Sequence, residues 1–345
     1  MSRPLNVFEE DLANISKALV KDFTELKNRN ILLTGGTGFV GTWLVFSFLK
    51  FAQELNSHMF LVSRNPENFL KKFPALRDSS NLHFIKGDVR DFAQPPEDIH
   101  YVIHAATDVV DEQENFEEIL DTCYLGTKRV LELCREKKIK KYLYISSGAV
   151  YGRQPPEMSD IREDYLGAPS VDSASSAYSE GKRLAEWLSC QAGRRYSFEV
   201  KRARGFAVIG PHLALDKRFA VGNFIGDVLN SRDIIIKGDG TVVRSYMYAS
   251  DMTIWLWTIL FRGQDSAAYN LGSDQAINLF DLAKKVAEAS GAGVSVKRMK
   301  EPQAGLAAER YVPGISKALG LGLGLSASLE TGIKRTIEFF KSQKL

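Results

Sequence analysis

Ile31-Leu32-Leu33-Thr34-Gly35-Gly36-Thr37-Gly38-Phe39-Val40-Gly41 is the stretch on which the fold turns. A short apolar run leads into glycines at 35, 38 and 41, and a helical pattern follows to about Gln53. In that order a strand, a tight turn and a helix expose backbone amides at the positive N-terminus of the helix, where a pyrophosphate can rest. Stripped of the strand and helix, the same glycines would mark only a turn. The residues expected to contact a dinucleotide here are Gly35, Thr37, Gly38, Phe39, Val40 and Gly41.

Working outward, Met59–Val62, His83–Ile85, Tyr101–Ile103 and Tyr142–Ile145 read as further strands, and a sixth is expected near Glu199–Arg202. Helical patterns at roughly 112–137 and 177–191 separate the later ones. Strands alternating with helices predict an α/β fold built on a doubly wound parallel (Rossmann) sheet with right-handed crossovers. Past Gly210-Pro211 the alternation weakens. Helices are expected at 221–231, 250–262, 279–290 and 328–341, with short extended pieces near 234–237 and 294–297. The division that follows is an N-terminal helical extension (1–29), a dinucleotide-binding domain (30–210) and a smaller C-terminal α+β portion for substrate (211–345). Residues 5–28 place Leu5, Phe8, Leu12, Ile15, Leu19, Phe23 and Leu26 at helical spacing, as in a packing arm. The Gly320-Leu-Gly-Leu-Gly-Leu run reads as a loop or helix entry.

Composition sets the outer limits. The 345 residues are 44% hydrophobic and 25% charged, with 45 Lys+Arg against 42 Asp+Glu and a net charge of +3. Interspersed charge without a basic block argues against nucleic acid as a partner. Three scattered cysteines (Cys123, Cys134, Cys190) form no disulfide framework, and five histidines without HExxH spacing give no support for a metal. The early chain has no apolar signal region, and the apolar stretch 43–52 is too short to span a bilayer and contains Lys50. A cytoplasmic protein without membrane contact is expected.

Two further places carry chemistry. At the end of the second strand, Ser63-Arg64-Asn65 offers a hydroxyl, a cation and an amide where NAD sites place a carboxylate for the ribose 2′-hydroxyl. That set favours NADP over NAD, unless Arg64 stacks on adenine or faces solvent. Asp88, after the third strand, is placed either to accept from the adenine amino group or to cap a turn. Tyr178 and Lys182 lie four apart, on one helix face. A free tyrosine has a pKa of about 10, so work near neutrality needs that value brought down by about three, roughly 4 kcal/mol. A neighbouring ammonium acts in that direction.

Taken together, these pieces resemble the extended short-chain dehydrogenase/reductase family, in particular its nucleotide-sugar epimerases, dehydratases and ketoreductases. The resemblance rests on Thr34–Gly41, Gly87-Asp88, His104-Ala-Ala106, Ser146-Ser-Gly-Ala-Val-Tyr-Gly152, Tyr178-x-x-x-Lys182, Gly210-Pro211 and Gly238-Asp-Gly-Thr-x-x-Arg244-x-x-x-Tyr248-x-x-Asp251. It covers roughly residues 30–340. It implies that Ser147 holds the sugar C4 oxygen, Tyr178 moves its proton, and Lys182 holds the nicotinamide ribose. Val89, Ala105 and Ala106 would line the cofactor; Thr107, Asn223, Arg244 and Arg310 would hold a nucleotide-diphosphate sugar, with arginine suited to bidentate phosphate contact. It also implies a homodimer through the helices near 112–135 and 177–191, with Val130, Leu131, Cys134, Leu184 and Trp187 either as candidate contacts or as packing within the chain's own core.

The departures select the reaction. Dehydratases of the family carry an Asp-Glu pair directly after their Ser/Thr, and decarboxylases a Glu at the second place; here stand Gly148-Ala149, which exchange no protons. Asp108 is either a replacement acid or a polar loop residue, Glu180 is the other acid within reach of the motif, and Ala207 replaces an asparagine common in the family. The expectation is hydride transfer at sugar C4, as 4-epimerase or 4-ketoreductase. The alternatives are a 4,6-dehydratase with atypical acid and base, and a non-catalytic NADP sensor, against which Ser147, Tyr178 and Lys182 speak.

Overall fold

The computed structural model describes residues 6–95, 97–107, 115–215, 219–303 and 305–343. Seven parallel strands form the central sheet. They are β1 (Ile31–Thr34), β2 (Met59–Ser63), β3 (Leu82–Lys86), β4 (Tyr101–His104), β5 (Lys141–Ser147), β6 (Glu199–Gly205) and a strand from far along the chain, Ala267–Leu271. From one edge the order is β3-β2-β1-β4-β5-β6, with Ala267–Leu271 beyond β6. The order reverses between β1 and β4. Above that reversal, at the carboxyl ends of the strands, an open α/β sheet has its binding crevice.

Alternation along β1 divides the core. Ile31 and Leu33 face one layer and Leu32 the other, all three fully buried. The first layer is built by α1 (Val7–Leu19), α2 (Phe39–Leu49) and a later helix, Ala249–Arg262. The second holds α4 (Phe116–Glu136) and α5 (Ala177–Tyr196), and α3 (Pro66–Lys72) follows β2 at the sheet edge. Both Ala267–Leu271 and Ala249–Arg262 lie beyond residue 210, so the C-terminal segment supplies a strand and a covering helix to the dinucleotide-binding sheet.

The remaining C-terminal elements make a smaller body. Its strands are β7 (Val208–Ile209), β8 (Ile234–Ile236), β9 (Val243–Ser245), β10 (Met247–Tyr248), β12 (Ala276–Asn278), β13 (Val296–Arg298) and β14 (Arg310–Tyr311), with Ala267–Leu271 as β11. Its helices are α6 (Ala220–Leu229), α8 (Leu279–Ser290), α9 (Ser316–Leu319) and α10 (Leu329–Ser342), with Ala249–Arg262 as α7. The 14-residue α7 presents buried side chains on every face because it lies between the sheet and α1. The run from Gly320 is loop between α9 and α10.

Helix α1 is part of the core. Phe8, Leu12, Ile15 and Leu19 are buried on one stripe, and Asn6 Oδ1 caps the helix by accepting from Glu9 N at 3.0 Å. Each such side chain contributes about 1.5–3 kcal/mol on burial. Beside them, Asp11 is buried, accepting from Tyr248 Oη at 2.6 Å and pairing with Arg335 of α10 at 2.9 Å. Burial pushes the Asp11 carboxyl up to about 6, against the pull of Tyr248 and Arg335. A carboxyl raised on folding binds its proton more tightly in the native state, so it lowers stability as pH rises from 3.8 to about 6. Asp11→Asn is therefore expected to remove that part of the pH dependence. Urea unfolding of both proteins across this range checks it, and a constant difference between them would exclude the assignment.

Candidate active site

The turn from β1 into α2 is a steric lock. Gly35 has φ +71°, and a Cβ there would lie 2.7 Å from the Ala105 carbonyl carbon and the Ala106 nitrogen. A Cβ on Gly41 would meet Gly36 Cα at 2.2 Å. Gly38 differs, since its Cβ would meet only Gly35 O at 3.4 Å. Gly38 is also the N-cap of α2 and gives it no side-chain cap, so the amides that open the helix face the exposed Thr37-Gly38 edge. Crowded glycines behind and an open one in front make a cradle that fits a pyrophosphate.

The floor beside it is fixed by a buried chain of hydrogen bonds. Thr34 Oγ1 accepts from the amides of Ala105 and Ala106, both at 3.2 Å, so its own proton goes to His104 Nδ1 at 2.6 Å. His104 Nε2 then carries the ring proton and donates to Thr127 Oγ1 at 3.1 Å. Burial holds this imidazole neutral, its pKa pushed down to about 3. Thr107 follows, its hydroxyl turned back to Ala106 O at 2.6 Å. Asp108 lies outside the described residues.

At the adenosine end Ser63 is buried and Arg64 exposed, while Asn65 Oδ1 caps α3 by accepting from Asn68 N. Asp88 is engaged by Arg90, at 2.8 and 3.0 Å from the side chain and 2.9 Å from the backbone amide, and these bonds hold its carboxyl below the usual range. Asp88 thus shapes a turn. Val89 is buried against Gly126 of α4.

The side chains expected to be catalytic lie where β5 and α5 converge. Ser147 ends β5, buried, with Oγ accepting from Ala149 N at 3.2 Å. Tyr178 stands part-exposed in the first turn of α5, with Lys182 one turn on. Lys182 is buried; its Nζ donates to Ile145 O at 2.8 Å and lies 5.8 Å from the Tyr178 ring centre. Burial pushes its pKa down to about 8, opposed by Cys123 and Glu186. One turn further, buried Glu186 pairs with Arg204 at 2.7 Å and Arg202 at 3.2 Å. Burial alone would raise that carboxyl, but Arg204 wins and holds it low. Glu180 pairs with Arg183 at 3.6 Å on the partly exposed face.

A cleft of about 550 Å³ is lined by Gly152, Arg153, Gln154, Ser173, Ser175, Arg244, Glu309, Arg310 and Tyr311. It brings Arg244 and Arg310 together. Arg244 is held by Glu309 at 2.5 Å, and Arg310 donates to Ser159 O at 3.1 Å. Asn223 is exposed on α6 and does not line this cleft. Four polar residues behind the site escape a reading of the sequence. Glu186 holds Arg204, whose guanidinium sits 4.6 Å from the Tyr151 ring centre, and Tyr151 Oη donates to Asn270 Oδ1 at 2.8 Å. Arginine in a buried strand is the signal that could have found them.

Helices α4 and α5 correct one set of expectations. Val130, Leu131 and Cys134 pack beneath the sheet and are unavailable to another chain, whereas Leu184 and Trp187 are 40% and 59% exposed. No helix among the described residues is long and apolar enough to cross a membrane.

A glycine cradle at the sheet's reversal, with Ser, Tyr and Lys gathered beside it, defines an enzyme of the extended short-chain dehydrogenase/reductase type, served by a nicotinamide dinucleotide. The sequence profile of the NAD dependent epimerase/dehydratase family matches residues 31–272, and the chain belongs to that family, within its nucleotide-sugar group. It is similar to UDP-glucuronic acid decarboxylase 1 of Xenopus tropicalis, 28% identical over 328 residues that cover 94% of this chain and 75% of the relative. It is also similar to dTDP-D-glucose 4,6-dehydratase of Dictyostelium discoideum, 28% identical over 270 residues (75% of this chain, 61% of the relative). Among solved structures, UDP-glucose 4-epimerase of Thermotoga maritima superposes with a TM-score of 0.77 at 22% identity, covering 92% of this chain and 100% of that one. UDP-N-acetylglucosamine 4-epimerase of Methanobrevibacter ruminantium gives 0.79 at 20% identity, covering 92% and 99%. These two likenesses speak to the fold.

Gly38→Asp is expected to fold normally, because its Cβ has room, and to lose dinucleotide binding through crowding and charge repulsion. Gly41→Ala has no room against backbone and should cost about 1–3 kcal/mol of stability. Thermal melts with a dinucleotide titration check both, and full affinity in folded Gly38→Asp would place the pyrophosphate elsewhere.

Proposed function

We propose that this protein catalyses hydride transfer at C4 of a nucleotide-activated hexose and ends in 4-epimerisation or reduction of a 4-keto sugar. One observation carries the reading: the buried Lys182 ammonium lies beside Tyr178 and is anchored to β5 two residues before Ser147, while positions 148 and 149 carry no ionisable side chain. A nicotinamide held beside these residues would supply the hydride chemistry at C4. Ser147 donates a hydrogen bond to the C4 oxygen, and Tyr178 takes the proton from that oxygen or returns it. Lys182 favours the charged form of Tyr178 and would hold the cofactor ribose. Arg244 and Arg310 take the diphosphate as bidentate donors, Arg244 exchanging Glu309 for it.

Elimination of water across C5 and C6 would need a further base and acid. General acid–base help is worth about 10²–10⁴-fold per group, so Gly148-Ala149 leaves dehydration negligible. NADP is the preferred cofactor in this reading, because Ser63-Arg64 presents a cation and no carboxylate to the 2′ position. The substrate is a nucleoside-diphosphate sugar, the class named for the relatives.

Purified protein incubated with UDP-, dTDP-, GDP- and CDP-hexoses, with NAD or NADP, is expected to yield C4-altered sugars by NMR. Tyr178→Phe should lose about 10²–10⁴-fold in kcat while binding cofactor normally, and Arg64→Ala should erase the NADP preference. Accumulation of a 4-keto-6-deoxy sugar at ordinary turnover would overturn the proposal and redirect attention to Asp108 and Glu180.

A homodimer is proposed through the outer faces of α4 and α5, where Tyr124, Leu125, Leu184 and Trp187 leave apolar surface uncovered. Light scattering should give a dimer for the native chain and a monomer for Trp187→Glu; a native monomer at micromolar concentration excludes it.

A further inference from the structure

Tyr311 has no counterpart in the roles assigned so far. It sits on β14 opposite Arg244 of β9. Its ring packs on Phe206, with centroids 4.4 Å apart, and carries the Arg244 guanidinium 5.6 Å above it. The hydroxyl reaches the turn that follows β5: a Cβ on Gly148 would lie 2.5 Å from the Tyr311 oxygen and 2.6 Å from Phe206 Cζ. The phenol therefore stands in the volume that a side chain at 148 would fill. In that place it interacts with Ser147 and with Tyr178, and burial pushes its pKa well above the ordinary tyrosine range. It keeps its proton at any working pH.

We infer that the Tyr311 hydroxyl is a third hydrogen-bond donor to the sugar oxygen engaged by Ser147 and Tyr178, and that residue 148 is glycine because the phenol occupies its side-chain space. This rests on the C4 reading above. A donor clamped between Phe206 and Arg244 needs no reorganisation when charge develops on that oxygen, the condition under which a hydrogen bond assists the reaction most. Tyr311 transfers nothing; Tyr178 remains the proton carrier. The arrangement also explains how a site with glycine and alanine after its serine still presents a full set of donors.

Tyr311→Phe deletes the hydroxyl and keeps the ring. Binding of UDP-glucose, UDP-4-deoxyglucose and UDP to the dinucleotide-loaded protein is measured by calorimetry, alongside turnover. The wild type should prefer the 4-hydroxy sugar, and Tyr311→Phe should shrink that preference about tenfold with UDP and dinucleotide affinities unchanged. Its kcat should fall about 10²-fold, and Gly148→Ala, which forces the phenol aside, should reproduce both losses. An unchanged preference and kcat in Tyr311→Phe, with Tyr178→Phe inactive, overturns the role of Tyr311 and leaves the C4 reading standing. No wild-type preference for the 4-hydroxyl, together with an active Tyr178→Phe, overturns both.

Discussion

The approach of α2 to the end of β1 is set by contacts that admit no side chain. Gly41 lies against the backbone of Gly35 and Gly36, and Gly35 lies against Ala105 and Ala106 at the end of β4. The helix axis is thereby fixed relative to two adjacent parallel strands at the point where the sheet order reverses. Everything that binds does so relative to this junction. Thr34 and His104 tie the two strand ends together by hydrogen bonds with no spare donor, so the junction is rigid as well as close.

From that fixed point the electrostatics follow a simple division. Lys182 is buried against a carbonyl oxygen and loses basicity, which leaves it an ammonium of adjustable charge near Tyr178. Glu186, a turn away and equally buried, is bound by two guanidinium groups and stays ionised. Neighbouring sites on one helix face thus hold one charge loosely and one firmly. The loosely held charge suits proton chemistry and the firmly held one suits architecture.

Much of this was legible in the chain itself because it is local. The glycine spacing, the strand and helix on either side, and Tyr178 four residues before Lys182 are all short-range patterns tied to helix and turn geometry. The parallel, doubly wound character of the sheet follows from strands alternating with helices. What stayed hidden is long-range. Ala267–Leu271 contains two alanines and a buried asparagine, so nothing in its composition marks it as a sheet strand; its partner β6 supplies the reason. Asn270 is explained only by Tyr151, Ile161 and Gly314, each brought from elsewhere. Gly148 reads as a loss until Tyr311 is found in its space. Val130 and Cys134 read equally as interface or as core, because a helix pattern gives an apolar face without saying what covers it; the structure buries both.

The contact between α1 and α10 has a consequence for how the molecule comes into being. Glu10 and Arg335, 325 residues apart, are joined at 3.2 Å beside the buried Asp11. A nascent chain emerging from the ribosome carries the apolar stripe of α1 uncovered until α2 and α7 have been made. Asp11 lacks its Arg335 partner until α10 emerges. The ion pairs of this face are completed only when α10 is made, after the last strand of the sheet, Ala267–Leu271. Until α2 and α7 are made, the stripe of α1 is transiently exposed hydrophobic surface, the kind that makes an unfinished chain prone to aggregate.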